Sequence, residues 1–176
     1  MAKKAAVLAV DPVNGSGLFQ YLETFFENGI PYRTFAVADG KEIKTNSGVT
    51  VVMDDVVANL KGHEDEYDAL VFACGDAVPK FTENADKQYN KDLMEVMQAF
   101  ASKGKIMVGH CGAGLLYQHS GFADGRKVAV HPYVVPAINK AVATGAKFEV
   151  DGNFYTAETE NSIWTIMEKL VEDMKK

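Results

Sequence analysis

The stretch KIMVGHCGAGLLY, residues 105–117, decides the fold of this chain. Its residues 106–108, IMV, form a short apolar run without polar alternation, which is typical of a buried strand. Glycines then surround Cys111, and the apolar residues from Leu115 onward indicate the start of a helix. The segment therefore predicts a sharp turn between a strand and a helix, with a cysteine at its apex.

Cys111 at such a turn has two interpretations. As a nucleophile, it would be held in a strained backbone conformation, and amides at the N-terminus of the following helix would stabilise its thiolate. As a structural residue, it would be a small apolar side chain in an ordinary turn, because free cysteines are among the most buried residues. The turn by itself leaves both interpretations open.

Composition and charge exclude several classes of protein. The chain has 176 residues, which suits one domain spanning residues 1–176. A net charge of −6 without a basic cluster argues against nucleic acid as a partner. No apolar run approaches the length of a membrane span, so no membrane partner is expected. Two cysteines do not make a disulfide framework, and a cytoplasmic location is therefore predicted.

Strand and helix patterns alternate along the chain, which implies an α/β fold. Such alternation predicts a mostly parallel sheet covered by helices on both faces, a three-layer α/β/α sandwich of flavodoxin-like type. The predicted strands are residues 4–10, 32–38, 68–73, 106–108 and 128–130, with hairpins within 42–54 and 148–156. The predicted helices are residues 18–26, 90–102, 135–143 and 162–174, with one or two helical turns at 54–60.

Polar and reactive side chains gather where the predicted strands end. Because the carboxyl ends of parallel strands meet at one edge of a sheet, these residues are expected to lie close together and to bind a small-molecule substrate. Neither a metal nor another cofactor is expected, since the cysteines and histidines show no recognised ligand spacing. The residues at the strand ends are Asp11, Cys74, Gly75, Asp76, His110, Cys111 and His131.

Several of these segments resemble the ThiJ/PfpI family of the class I glutamine-amidotransferase-like superfamily. Residues 67–77, YDALVFACGDA, are similar to the family's strand and turn YDALVLPGG. Residues 103–132 resemble its cysteine elbow, helix, GRK turn and HP strand end, and residues 150–162 resemble its last hairpin. The family includes the Parkinson-disease-associated protein deglycase and archaeal intracellular proteases, and the resemblance implies the same fold and a homodimer.

The resemblance also implies roles for residues of this chain. Cys111 would be the nucleophile or redox cysteine, and the Gly75 and Gly112 amides would form an oxyanion hole. His131 matches a histidine that some members place near the cysteine, where it could activate the thiol or pair with the thiolate. His131 could instead only cap its strand. The implied activity is thiol-dependent chemistry on small carbonyl compounds or amides, of glyoxalase, deglycase or hydrolase type.

The sequence departs from the family pattern at positions that bear on activity. Family enzymes carry a glutamate in the first helix that hydrogen-bonds the cysteine, and the equivalent position here is at or near Gly17. Asp11 or Asp76 could replace that carboxyl group, or each could only cap a loop or helix. The histidine that usually follows the cysteine is also missing. His110 precedes the cysteine instead, and strand alternation favours a position in the core, or one that supports the reacting residues without being the base itself.

Two other positions differ from the family, and they keep further functions open. Glu158 stands where the last hairpin of the family has an arginine. Cys74 replaces the first glycine of the GG turn, so it is either a small packed residue or a thiol that resolves a sulfenic acid on Cys111. A resolving thiol at Cys74 would suit a redox-responsive stress protein without turnover. A third possibility is a binding protein that keeps the fold without catalysis.

Overall fold

The computed structural model describes residues 2–176, which contain eleven strands and four α-helices. The strands are β1 (Ala5–Val10), β2 (Tyr32–Val37), β3 (Glu42–Lys44), β4 (Thr50–Val52), β5 (Asp55–Val56), β6 (Ala69–Ala73), β7 (Ile106–His110), β8 (Lys127–Val128), β9 (Val142–Ala143), β10 (Phe148–Asp151) and β11 (Phe154–Ala157). The helices are α1 (Gly15–Glu27), α2 (Gln88–Ser102), α3 (Ala113–His119) and α4 (Ile163–Lys175). Short 3-10 helices cover Val57–Leu60, Glu64–Glu66, Val78–Lys80, Pro132–Ala137 and Glu160–Ser162.

Seven strands form the main sheet in the order β10-β11-β7-β6-β1-β2-β5. All neighbours pair in parallel except β10 and β11, which form an antiparallel hairpin. The two small sheets, β3-β4 and β8-β9, lie outside it. The predicted mostly parallel sheet and both predicted hairpins are therefore confirmed.

Helices cover the sheet on both faces, which confirms the three-layer sandwich. Successive residues of β1 alternate between two buried clusters, with Leu8 in one and Val7 in the other. The Leu8 cluster includes the apolar sides of α2 and α3, whereas the Val7 cluster includes those of α1 and α4. Because both faces of β1 are covered, every residue of this strand is buried, as its continuous apolar run predicts.

Helix α1 begins three residues earlier than the apolar spacing predicts. Asn14 is its N-cap, and the Asn14 Oδ1 accepts a hydrogen bond from the Gly17 amide at 2.5 Å. This bond satisfies one of the free amides at the helix start. The glycine-rich residues 15–17 therefore already belong to the helix. The helix ends with the C-cap Asn28, and the next residue, Gly29, adopts a φ of +67°.

The predicted helix at residues 135–143 is wrong. The chain forms a 3-10 helix over Pro132–Ala137 and then the strand β9. Pro136 lies inside the 3-10 helix and has no amide proton for an α-helical bond. The Gln118 Oε1 accepts hydrogen bonds from the amides of residues 139–141, and these bonds turn the chain toward β9.

Two shorter predictions need correction. The segment 54–60 is only partly helical, because β5 first pairs with β2 at the edge of the main sheet. The predicted strand 128–130 is displaced, since β8 covers Lys127–Val128. Both segments were too short for periodicity to separate a strand from a helical turn.

Two kinds of feature are absent from the described residues, a membrane-spanning helix and a cluster of metal ligands. No helix among them is long and apolar enough to cross a membrane. No group of three or more histidine, cysteine or acidic side chains among them is arranged to hold a metal ion.

Candidate functional site

Cys111 lies at the turn between β7 and α3 with a φ of +56°, the one positive φ among the non-glycine residues that the structure describes. A non-glycine residue in this region costs on the order of 1–3 kcal/mol, so the surrounding structure must hold it there. Two backbone hydrogen bonds do so. The Cys111 amide donates to the Ala157 carbonyl at 3.0 Å, and the Cys111 carbonyl accepts from the His131 amide at 3.1 Å.

Cys74 lies beside Cys111 because the parallel strands that carry them pair in register. Phe72 of β6 is opposite Gly109 of β7, so each cysteine follows its strand by an equivalent distance. Cys74 is 1% exposed, whereas Cys111 is partly buried, and both thiols are free. The Gly112 amide donates to the Cys74 Sγ at 3.3 Å. The buried sulfur therefore lies against an amide of the proposed oxyanion hole.

The two thiols have opposite electrostatic environments. A hydrogen bond from the Cys74 thiol, helped by the Gly112 amide, lowers the pKa of Cys111 against the opposing effects of burial and nearby carboxylates. The same hydrogen bond to Cys111, together with complete burial, raises the pKa of Cys74 well above its ordinary value. Cys111 is therefore the thiol that ionises first, and Cys74 stays protonated as its donor.

Replacement of Cys74 by alanine should raise the pKa of Cys111, because the main hydrogen bond that stabilises its thiolate is lost. Below the pKa, the thiolate fraction falls tenfold for each unit, so alkylation of Cys111 at neutral pH should slow by about threefold to tenfold. The measurement is the rate of iodoacetamide labelling of Cys111 between pH 5 and about 9, a range that brackets the ordinary pKa. An unchanged midpoint would show that Cys74 does not stabilise the thiolate.

A cavity of about 550 Å³ opens over Cys111 at the carboxyl ends of the strands. Its position is the one expected for a binding site in a parallel sheet. Its lining includes seven of the eight residues predicted for the site: Cys74, Gly75, Asp76, His110, Cys111, Gly112 and His131.

Asp11 is the predicted site residue that does not line this cavity. Its carboxylate is exposed, and the Asp11 Oδ1 accepts a hydrogen bond from the Lys44 amide at 3.0 Å. Asp76 lies at the cavity, and its Oδ1 accepts from the Asn46 Nδ2 at 3.3 Å. Of the two carboxylates considered as substitutes for the missing glutamate, Asp76 is the one near Cys111.

His131 acts as a cap and also lines the cavity. Its Nδ1 accepts a hydrogen bond from the Tyr133 amide at 3.1 Å, at the start of the 3-10 helix Pro132–Ala137. Because Nδ1 is an acceptor in this bond, the ring proton of the neutral imidazole lies on Nε2. In this arrangement, the free ring nitrogen of His131 is a hydrogen-bond donor.

His110 is buried and packs against α1. It is 1% exposed, and its Nδ1 lies 3.0 Å from the Tyr21 hydroxyl. Burial lowers the pKa of His110 to about 3, so the ring is neutral at physiological pH. His110 is thus a buried histidine that also reaches the cavity.

The ring of His110 takes the space that a side chain at position 17 would need. A Cβ atom on Gly17 would lie 2.5 Å from the His110 Nε2 and 2.6 Å from its Cε1. Real Cβ atoms do not approach other atoms so closely, so the present ring position requires glycine at position 17. A side chain at position 17, where the resemblance places the family glutamate, would therefore exclude the present position of the His110 ring.

Sequence reasoning missed several groups at the site. Asn14, Asn46, Tyr133 and Glu160 also line the cavity. They lie in loops or at helix starts, where no periodic pattern marks them. Tyr21 could have been found, because it lies one helical turn after Gly17 and therefore on the same face of α1.

The comparisons with known proteins agree with this fold. The model of the DJ-1/PfpI family matches residues 3–173. The protein ppBat of Bacteroides thetaiotaomicron is 62% identical over 175 residues, which cover 99% of this chain and 100% of that protein.

Solved structures with the same fold include one with high sequence identity and one with low identity. A crystal structure of a Bacteroides thetaiotaomicron protein is 61% identical, with a TM-score of 0.96 over 98% of this chain and 99% of that one. The crystal structure of Drosophila melanogaster DJ-1beta is 19% identical, with a TM-score of 0.82 over 99% of this chain and 91% of that one. At that identity, the second likeness concerns the fold alone.

Proposed function

Because this chain belongs to the DJ-1/PfpI family, we propose that it is a thiol-dependent enzyme in which Cys111 attacks small carbonyl compounds or amides. The observation that carries this proposal is the environment of Cys111. Its backbone is held at a φ of +56°, the pKa of its thiol is lowered, and its side chain lines a cavity of about 550 Å³. A structural cysteine needs none of these three properties.

The proposed reaction begins with addition of the Cys111 thiolate to the carbonyl carbon. A sulfur–carbon bond forms, and the π electrons of the carbonyl group move to its oxygen. The Gly75 and Gly112 amides would stabilise that oxygen, and an oxyanion is a stronger acceptor than the Cys74 sulfur that the Gly112 amide now faces. The Nε2 proton of His131 is available to hydrogen-bond the same oxygen, and the Asp76 carboxylate also lines the cavity.

Substrate consumption tests this proposal. We would incubate the protein with methylglyoxal, propanal and small amides, and follow the loss of each compound together with the intact mass of the protein. Turnover, or a covalent adduct on Cys111, supports the proposal. If no compound is consumed and no adduct forms at a folded Cys111, the proposal is wrong.

A second candidate function is a redox response, and the contact between Cys74 and Cys111 favours it. A peroxide would transfer one oxygen to the Cys111 thiolate, giving a sulfenic acid while the peroxide is reduced to water or an alcohol. The Cys74 sulfur would then attack the sulfenic sulfur, forming a disulfide and releasing water.

Mass spectrometry after peroxide treatment distinguishes this redox function. The wild-type protein should lose two hydrogens as the disulfide forms, whereas Cys74→Ala should gain oxygen at Cys111. Gain of oxygen at the same rate in both proteins would show that Cys74 does not resolve the sulfenic acid.

The homodimer and the cytoplasmic location belong to the same proposal. Helices α1 and α4 expose large apolar side chains, including Phe26 at 78% and Trp164 at 50% exposure, and such side chains support a subunit contact. Two free thiols are compatible with a reducing compartment. Sedimentation analysis of the purified chain tests the dimer.

A further inference from the structure

A segment without a buried residue forms one wall of the cavity at the candidate site. Each residue of this wall segment, residues 131–141, is exposed or partly exposed. Tyr133, Val134 and Ala137 line the cavity from its 3-10 helix, and His131 lines it from the start of the segment. Burial of apolar side chains therefore contributes little to the position of this wall, so hydrogen bonds must hold it in place.

The side chain of Gln118 supplies four of these hydrogen bonds. It lies on α3 and is 5% exposed, and the Gln118 Nε2 donates to the Ala137 carbonyl at 3.1 Å. The Gln118 Oε1 accepts from the amides of residues 139, 140 and 141 at 3.0, 2.8 and 3.1 Å. Because three amide protons converge on one atom, that atom is the oxygen of the side-chain amide. One buried side chain thus holds the backbone at the end of the wall segment.

The wall segment is attached at both ends of α3. At the N-terminal end, the His131 amide donates to the Cys111 carbonyl at 3.1 Å. At the C-terminal end, Gln118 is the residue before the last of the helix. Between these two attachments, Val134 and Ile138 contact the core with side chains that are only partly buried. Loss of the Gln118 bonds would therefore release one end of the wall segment.

Release of that end would also affect the ring of His131. The Tyr133 amide donates to the His131 Nδ1 at the start of the 3-10 helix, and this bond leaves the ring proton on Nε2. Ala137, which Gln118 holds, is the last residue of the same 3-10 helix. The ring position of His131 and the wall of the cavity therefore depend on the same short helix.

We infer that Gln118 is a positioning residue that holds the wall segment closed beside Cys111. Gln118 is not among the residues that line the cavity, so it acts through Ala137 and its neighbours. The wall segment then limits the size of the molecules that reach the Cys111 thiolate. A second consequence rests on the proposed function, because a closed wall also increases the affinity of the enzyme for its carbonyl substrate.

Two maleimides of different size test the inference without substrate turnover. N-methylmaleimide and N-pyrenylmaleimide react through the same group: the Cys111 sulfur bonds to one carbon of the ring double bond, and a proton from water adds to the other. The thiolate fraction affects both rates equally, so their ratio reports access alone. We would measure both rates on the whole protein by peptide mass spectrometry, and follow hydrogen exchange of residues 139–141 in parallel.

Gln118→Met keeps the length of the side chain and removes its four hydrogen bonds. The open population of the wall segment should rise by roughly tenfold or more. The ratio of the N-pyrenylmaleimide rate to the N-methylmaleimide rate should rise with it, and residues 139–141 should exchange faster while α2 is unchanged. Gln118→Glu keeps the acceptor for the three amides but turns a second acceptor toward the Ala137 carbonyl, so its ratio should lie between those of wild type and Gln118→Met.

Gln20→Met is the matched control, because it makes the same substitution in a glutamine that donates to Ser16 of its own helix. Its rate ratio should equal that of wild type. An unchanged ratio in Gln118→Met, or unchanged exchange at residues 139–141, would overturn the inference. Faster exchange in α2 as well would overturn it too, since the whole fold would then be loosened. If Gln118→Met does not fold, a wild-type ratio in Gln118→Glu has the same meaning.

Steady-state kinetics separate this inference from the proposed function. If wild type consumes carbonyl compounds, Gln118→Met should raise KM about threefold to tenfold with a smaller change in kcat, because the wall contributes to binding throughout the reaction. An equal KM would overturn the effect on affinity. If wild type consumes none of these compounds, the proposed function fails, and the maleimide ratio still decides whether Gln118 holds the wall segment.

Discussion

Cys111→Ser is expected to reduce the rate of carbonyl consumption by roughly 10³-fold or more, the scale seen when an enzyme loses its nucleophile. A serine hydroxyl does not ionise near neutral pH, and the hydrogen bond from Cys74 that favours the thiolate would have no comparable anion to stabilise. The measurement is the initial rate of aldehyde loss at saturating substrate, with wild-type and variant proteins at equal concentration.

Cys74→Ser is the matched control for this prediction. It also exchanges sulfur for oxygen in a cysteine at the same site, but it leaves the nucleophile in place. We expect a much smaller reduction in rate than for Cys111→Ser, because the serine hydroxyl at position 74 can still donate a hydrogen bond toward Cys111. Thermal unfolding of both variants shows whether the comparison is made between folded proteins. Equal rates for wild type and Cys111→Ser would mean that Cys111 is not the nucleophile.

The fold was largely predictable because its main signals are local and repeated. The apolar runs of β1, β6 and β7 are buried on both faces, so continuous hydrophobicity marks them. The amphipathic spacing of α2 and α4 similarly identified helices that cover one face of a sheet. The failure at residues 135–143 arose because a distant side chain, Gln118, holds the backbone there.

The site was less predictable, since its chemistry depends on contacts between distant segments. Strand ends identified the residues near Cys111, because parallel strands deliver them to one edge. Periodicity alone could not show that the His110 Nε2 would occupy the space beside Gly17, a contact that spans more than half of the chain. The strand-end argument also placed Asp11 at the site, although its carboxylate accepts a hydrogen bond from the Lys44 amide and does not line the cavity.

Gly75→Ala is expected to destabilise the protein by about 3 kcal/mol, the upper end of the cost of overpacking a buried position. A Cβ atom on Gly75 would collide with the Pro12 carbonyl oxygen and would lie 2.5 Å from the Val13 Cα. These are backbone atoms, so no side-chain rotation relieves the contact. The loop between β1 and α1 would have to move, and the hydrogen bond from the Asn14 amide to the Cys74 carbonyl, 2.9 Å long, would be strained.

Gly40→Ala is the matched control, because a Cβ atom there meets no atom within 4 Å and its φ is not positive. Its free energy of unfolding should change by no more than about 0.5 kcal/mol. Urea denaturation of wild type and both variants measures the difference. Alkylation of Cys111 should also be slower in Gly75→Ala, because movement of the loop would carry Cys74 away from the Cys111 thiolate. Equal stability of the two variants would show that the loop between β1 and α1 moves at little cost in free energy. The close packing of Gly75 would then not fix the geometry of the site.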